Sequence, residues 1–319
     1  MNRSRVQDWS ERHPWQIGGV SLSRHLLQVM TRCGEIRVMG LAAEMAYYAV
    51  ISMVPLTGAV GTSLGFVERY MGSEAAQDAE AAIIQAVQAV FSPESSSEVI
   101  TPLVQGLLRE ERTAFTLGGF LVSLFFASWM FRSAIEALNV AYSADGTRGT
   151  LSIWALGMLF ALLAVVVAMI ILVMVVVGPL FGGGRAIADW LGLGRAFELL
   201  WSVARWPLVC TTVTGFLTLL YRLGPSVKKT WWSCLPGALF GTAALILVAV
   251  GFRLYIEATG LQSPEIEDAE DAVLVALQVI GALMITLFWL WLNAMVIVTG
   301  GIVNVELDRL RRSGISQSA

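Results

Sequence analysis

Six stretches of this chain, roughly 38–66, 114–131, 151–181, 199–221, 233–256 and 272–303, are apolar for about as long as a helix needs to cross a bilayer. A hydrocarbon layer of about 30 Å, climbed at 1.5 Å per residue, takes about 20 residues. Each stretch has to be helical, because an isolated strand in lipid would leave its N–H and C=O groups without partners. The longer runs must tilt, kink or protrude. Composition agrees: 56% of the 319 residues are hydrophobic and 14% charged, against about 25% charged in a soluble domain. The expectation is an all-α polytopic membrane protein with six transmembrane helices.

Orientation follows from the Lys and Arg in the connections, since cytoplasmic loops hold the excess. The segment before the first span carries six, the 132–150 loop two, the 222–232 loop three and the C-terminal tail three. The alternate connections, 67–113, 182–198 and 257–271, carry three, two and none. Both termini are therefore expected in the cytoplasm, with six crossings. The domain plan is a cytoplasmic N-terminal segment 1–37, a membrane domain 38–303 and a cytoplasmic tail 304–319. Residues 1–37 lack the short apolar core and cleavage site of a signal peptide. Ile17, Val20, Leu26, Leu27 and Met30 recur there at helical spacing, predicting a helix that lies on the inner leaflet or packs on the bundle. Connection 67–113 holds two apolar stripes, one from Ile83 to Phe91 and one from Ile100 to Leu108, split by Pro93 and three serines. That pattern predicts an external helical hairpin between the first two spans.

Several functions are disfavoured by what the chain contains. A net charge of −3 gives no basic field for nucleic acid. Cys33, Cys210 and Cys234 stand far apart and the two histidines, His13 and His25, lie in the polar N-terminal region, so neither a zinc site nor a disulfide framework is expected. No G-x-x-x-x-G-K-[ST] loop is present, no nucleophile and base stand at a telling spacing, and no cofactor or metal is expected. The chain reads as something other than an enzyme.

Polar groups inside spans carry the functional expectations, since a central Arg or Asp costs roughly 2.5–3.5 kcal/mol on insertion scales. Arg205 near the start of span four and Arg253 near the end of span five fall at one depth, in the outer third. They either snorkel to headgroups or line a cationic recess for an anionic solute or lipid. Tyr47, Tyr48, Asn139 and Asn293 are the other candidate lining residues. Arg132 and Glu136, at i,i+4 spacing past the end of the second run, read as interfacial. Gly61 with Gly65 and Gly237 with Gly241 make G-x-x-x-G pairs for close helix contact. Pro55 predicts a kink in span one.

Ordered motifs in the chain resemble the YihY/BrkB family of bacterial inner-membrane proteins. They are Ala46-Tyr47-Tyr48 with Pro55, then Ala137 to Tyr142 with Arg148, then Tyr221-Arg222 with Pro225 and Trp231 or Trp232. Leu235-Pro236-Gly237-Ala238, Phe252 with Tyr255, and Gly300-Gly301 with Asn304 follow in order. The likeness covers about residues 20–310. It departs at Glu270-Asp271-Ala272, where many members carry Tyr-Gly, and at Ile302, where they carry an acidic residue. The resemblance implies a six-helix inner-membrane protein, from a family associated with envelope phenotypes, serum resistance and transport. A ribonuclease label carried by some members does not suit these residues, because the cytoplasmic loops offer only scattered Glu136, Asp145, Glu306 and Asp308.

Two functions are thus weighed. The first is a transporter or exporter of a small, anionic solute or lipid-linked species, gated on the inner side by Pro55, Tyr142, Arg148, Tyr221, Arg222 and Pro225. The second is a non-transporting scaffold that binds an envelope partner through the external hairpin. The bilayer is the expected partner in both.

Overall fold

In a computed structural model, residues 16–17, 20–21, 29, 31–71, 113–144, 148–172, 174, 194–259 and 272–317 are described. Side chains are described within them except at 16–17, 20–21, 57–71, 113–116, 172, 194–202, 257–259, 272–279 and 310–317. Six helices make up nearly all of it: α1 (Val38–Met71), α2 (Thr113–Ala141), α3 (Thr150–Leu172), α4 (Gly194–Leu223), α5 (Trp231–Thr259) and α6 (Ala272–Gln317). Each contains a stretch long and apolar enough to cross a membrane, as the sequence predicts. Most of the proposed external hairpin, with both its stripes, and the acidic loop 260–271 lie outside the described residues.

Two boundaries differ from expectation. Before α1, Gln16–Ile17 and Val20–Ser21 form a short antiparallel strand pair, β1 with β2, so Ile17 and Val20 do not sit on a helix. Helical turns begin later, over 31–35, and break at Arg37, whose φ of 58° reverses the chain into α1. The second apolar window runs Leu117–Ala141, ten residues beyond the expected end at 131. Arg132 and Glu136 therefore lie inside a membrane-capable stretch, because the small and apolar residues from Ser133 to Ala141 continue both the helix and its hydropathy.

Each helix packs on the next in sequence, and α6 returns to α1, closing a ring that α2 and α6 bridge across the middle. Among the described side chains, buried ones include Ala42, Met45 and Ala46 on α1, Phe131, Ala134, Ile135, Ala137, Leu138 and Ala141 on α2, and Phe160 and Ala161 on α3. They continue as Leu217 to Tyr221 on α4, Cys234 and Ala238 on α5, and Val298, Ile302 and Val305 on α6. With helices alternating in direction, all of these fall toward one end of the bundle, that of the α1 start and the α6 finish. Small residues let backbones approach there, as membrane helices require in the absence of a hydrophobic drive between them. The rings of Phe131, Phe160 and Phe216 meet at 5.9–6.1 Å and join α2, α3 and α4. Exposed apolar side chains lie along the whole bundle, with Met39, Leu151 and Trp232 near that end and Val203, Leu247 and Met284 toward the other.

Proline positions fit this plan. Pro55 withdraws the N–H that the Ile51 carbonyl would accept. One residue on, the Ser52 carbonyl accepts from Ser123 Oγ at 2.7 Å, which ties that part of α1 to α2. What faces Gly61 and Gly65 lies outside the described side chains.

Candidate functional site

The closed end holds a knot of polar side chains, each joining segments that are distant in sequence. It begins at the C-terminus of α2, where the Ser143 N–H reaches the Val140 carbonyl at 3.1 Å and the Ala144 N–H reaches the Asn139 carbonyl at 3.0 Å. This pairing is a Schellman cap, and it puts Ser143 in the left-handed region at φ 48°, a place more often held by glycine. Arg32 Nη2 donates to Ser143 Oγ at 2.8 Å, so the turn before α1 is fastened to the cap. Asn139 Oδ1 accepts from the Ser226 backbone N–H at 2.7 Å.

From the next loop, Arg148 Nη1 donates to the Leu223 carbonyl at 2.6 Å and to the Gly224 carbonyl at 3.4 Å. A cation on the last carbonyls of α4 satisfies orphan acceptors and complements the helix dipole. Pro225, fully buried, then prevents α4 from continuing. Arg222 lies over the Trp231 ring at 3.9 Å.

Lys229 and Asp308 form the tightest ion pair described, 2.6 Å apart, with side chains only 15% and 17% exposed. The ammonium also stands 5.1 Å from the centre of the Tyr142 ring. The Tyr142 hydroxyl is buried without a hydrogen bond. Burial first, and then the neighbouring Cys234, push its pKa well above the usual tyrosine range, while Asn304 opposes the shift and Asp308 adds to it.

Deeper in the bundle, Tyr221 donates to the Ile297 carbonyl at 2.7 Å. Asn304 is wedged against α5: its Oδ1 accepts from the Gly237 N–H at 2.6 Å and its Nδ2 donates to the Cys234 carbonyl at 3.0 Å. The contact requires glycines, since a Cβ on Gly237 would overlap the Gly300 carbonyl and Asn304, and one on Gly300 would overlap the Tyr221 hydroxyl. Gly237 and Gly241 are thus packing residues, as their spacing suggests; Gly241 faces Leu217 and Tyr221.

The structure brings together Asn139, Tyr142, Arg148, Tyr221, Arg222 and Pro225 at one end. It does not gather the six proposed lining residues. Asn139 binds a residue just past the end of α4, whereas Arg205 sits eighteen residues before that end, a rise of roughly 27 Å. The two stand at opposite ends of the bundle and cannot share one small pocket. Arg205 lies over its neighbour Trp206 at 5.5 Å, with its Nε buried and unpaired. Arg253 is exposed near the end of α5. Asn293 donates to the Trp289 carbonyl on its own helix at 2.7 Å. Tyr48 packs edge to face on Tyr47 and tilted on Trp129, both at 5.4 Å.

The virulence factor BrkB family matches residues 29–319, all of the membrane domain and the knot. The chain belongs to that family. Among curated proteins, it is 23% identical over 273 residues to the ribonuclease-like protein YfkH of Bacillus subtilis (strain 168), covering 85% of this chain and 90% of that one. No solved structure matches. This BrkB-family chain is a multi-pass membrane protein, and its knot contains two residues that sequence reasoning left out. Lys229 and Asp308 lie 79 positions apart and belong to no motif; only the unusual depth of an Asp on the last apolar helix hinted at a partner. Asn304 was visible as part of a motif but not as a bond to α5.

Proposed function

We propose that this protein moves a small anionic solute or a lipid-linked anion across the cytoplasmic membrane, with its termini in the cytoplasm and the polar knot as an inner gate. The observation that supports this is the polar knot, which ties loops and helices together at one end of the bundle by side-chain bonds. Bonds of this kind form in one state and break in another, which is what a gate needs. Arg205 and Arg253, near the far end, would meet an anion there. A nuclease would ask for clustered carboxylates open to water, whereas Asp308 and Glu306 are paired with Lys229 and Arg309, and Glu136 faces Arg132.

Proteoliposomes test it with two probes, radiolabelled inorganic phosphate and a fluorescent phosphatidylglycerol analogue. Wild-type protein is expected to move one of them. Cysteines at 229 and 308 joined by a bis-maleimide should stop that movement, and the Arg205→Gln, Arg253→Gln variant should slow it at least tenfold. Full flux in the joined protein would remove the gate, and absence of flux with both probes would favour the scaffold.

A further inference from the structure

Away from the knot, α2 carries a second polar group that none of the bonds above explains. Arg132 lies beside an edge-to-face pair of indoles, its guanidinium carbon 5.1 Å from the centre of the Trp129 ring and 5.2 Å from that of Trp154 on α3. Phe125 packs on both indoles, at 6.0 and 5.6 Å, and the indoles meet at 5.9 Å. Gly157 makes room for the arginine stem, since a Cβ there would press on Arg132 Cγ and the Ser128 carbonyl.

Three donors in this group have no partner. The Arg132 Nε, the Trp129 Nε1 and the Ser133 Oγ are all buried and unbonded. They come from positions i, i+3 and i+4 of one helix, which share a face. The one carboxylate at the site, Glu136, approaches the guanidinium only to 3.8 Å and is 51% exposed, against 21% for Arg132. Gly157 is seven residues into α3, so the cation sits roughly 10 Å from the end of the bundle, inside a membrane-capable stretch. A cation there needs a full counter-charge or water, and buried donors are left unbonded at a cost. The two indole rings stabilise the cation but leave its Nε–H unmatched.

We infer that Trp129, Arg132 and Ser133, backed by Trp154 and Gly157, form a binding site for an oxyanion of the phosphate type. Planar guanidinium and indole N–H groups suit its several acceptor oxygens. The source is either a lipid headgroup entering from the bilayer or a free phosphate. This site is independent of the transport reading, because it requires only binding.

Native mass spectrometry of the full chain in lipid discs tests it. Discs of phosphatidylcholine with a minor fraction of phosphatidylglycerol give the lipid arm; titration of inorganic phosphate in phosphatidylcholine discs, followed by tryptophan fluorescence, gives the soluble arm. Wild-type protein should retain phosphatidylglycerol or respond to phosphate, and Arg132→Gln should abolish that. Trp129→Phe with Ser133→Ala keeps the ring and the packing while removing two donors, and should weaken binding about tenfold. This variant carries the test if Arg132→Gln does not fold. Retention in the lipid arm assigns a headgroup, and a response in the phosphate arm alone assigns a soluble anion. Wild type and variants behaving alike in both arms would overturn the site.

Discussion

Asn304 holds a backbone donor and a backbone acceptor of α5 at once, through the Gly237 N–H and the Cys234 carbonyl. Replacing it with Leu keeps the volume and leaves both groups buried and unpaired, at a cost of about 1–3 kcal/mol; thermal unfolding in detergent should show the loss, and Asn304→Ala should lose at least as much. Lys229 and Asp308 behave as a unit for a similar reason. Removing either partner strands a charge that is mostly buried, so Lys229→Met and Asp308→Asn should each destabilise by about 3–5 kcal/mol while the double variant costs less than their sum. Tyr142 supplies a pH signature. Its pKa is pushed up in the folded protein, so the unfolded chain ionises first and stability falls as pH rises above about 10. Tyr142→Phe should flatten that fall, read from unfolding midpoints taken across the alkaline range.

Among the elements, the α5–α6 crossing depends on glycine in a position-specific way. Gly237→Ala or Gly300→Ala would drive a methyl group into backbone and side chain of the partner helix, and each should destabilise by about 1–3 kcal/mol. Gly251→Ala and Gly281→Ala, on the same two helices, meet nothing within 4 Å and should leave the unfolding midpoint within a degree or two of the parent. The G-x-x-x-G spacing on α5 was legible in the sequence, but which glycines touch a neighbour depends on how two helices rotate against each other. The Trp129–Arg132–Trp154 cluster escaped for the same reason. Its members come from α2 and α3, and Arg132 read as a residue beyond the end of its span because the apolar run pauses there before resuming.

At the scale of the whole molecule, the six spans were plain because apolar run length is nearly a direct measurement of bilayer thickness. The residues of the polar knot came through ordered motifs, Ala137 to Tyr142 and Tyr221 to Pro225, and the structure places both at one end. The pooling of Asn139 with Arg205 failed because a list of polar residues carries no depth until helix direction is counted. Burial predicts a reactivity order for native cysteines. Cys33, partly exposed, should react with a maleimide well before the buried Cys234. Burial outweighs its Thr299 contact and raises the Cys33 pKa, so its labelling should accelerate with pH more steeply than that of a free thiol near pH 8.

The ring also has an order of construction. Synthesis delivers α1 first and α6 last, yet Asn304 and Asp308, the partners of Gly237, Cys234 and Lys229, both lie on the last apolar stretch, Ile280–Arg309. Until that stretch arrives, α5 waits with a backbone donor and acceptor unmatched, the loop before it holds a lone ammonium, and α1 has no neighbour on its second side. A nascent chain halted before α6 is thus a five-helix arc with polar edges, which the cell's membrane quality-control proteases can distinguish from the finished ring.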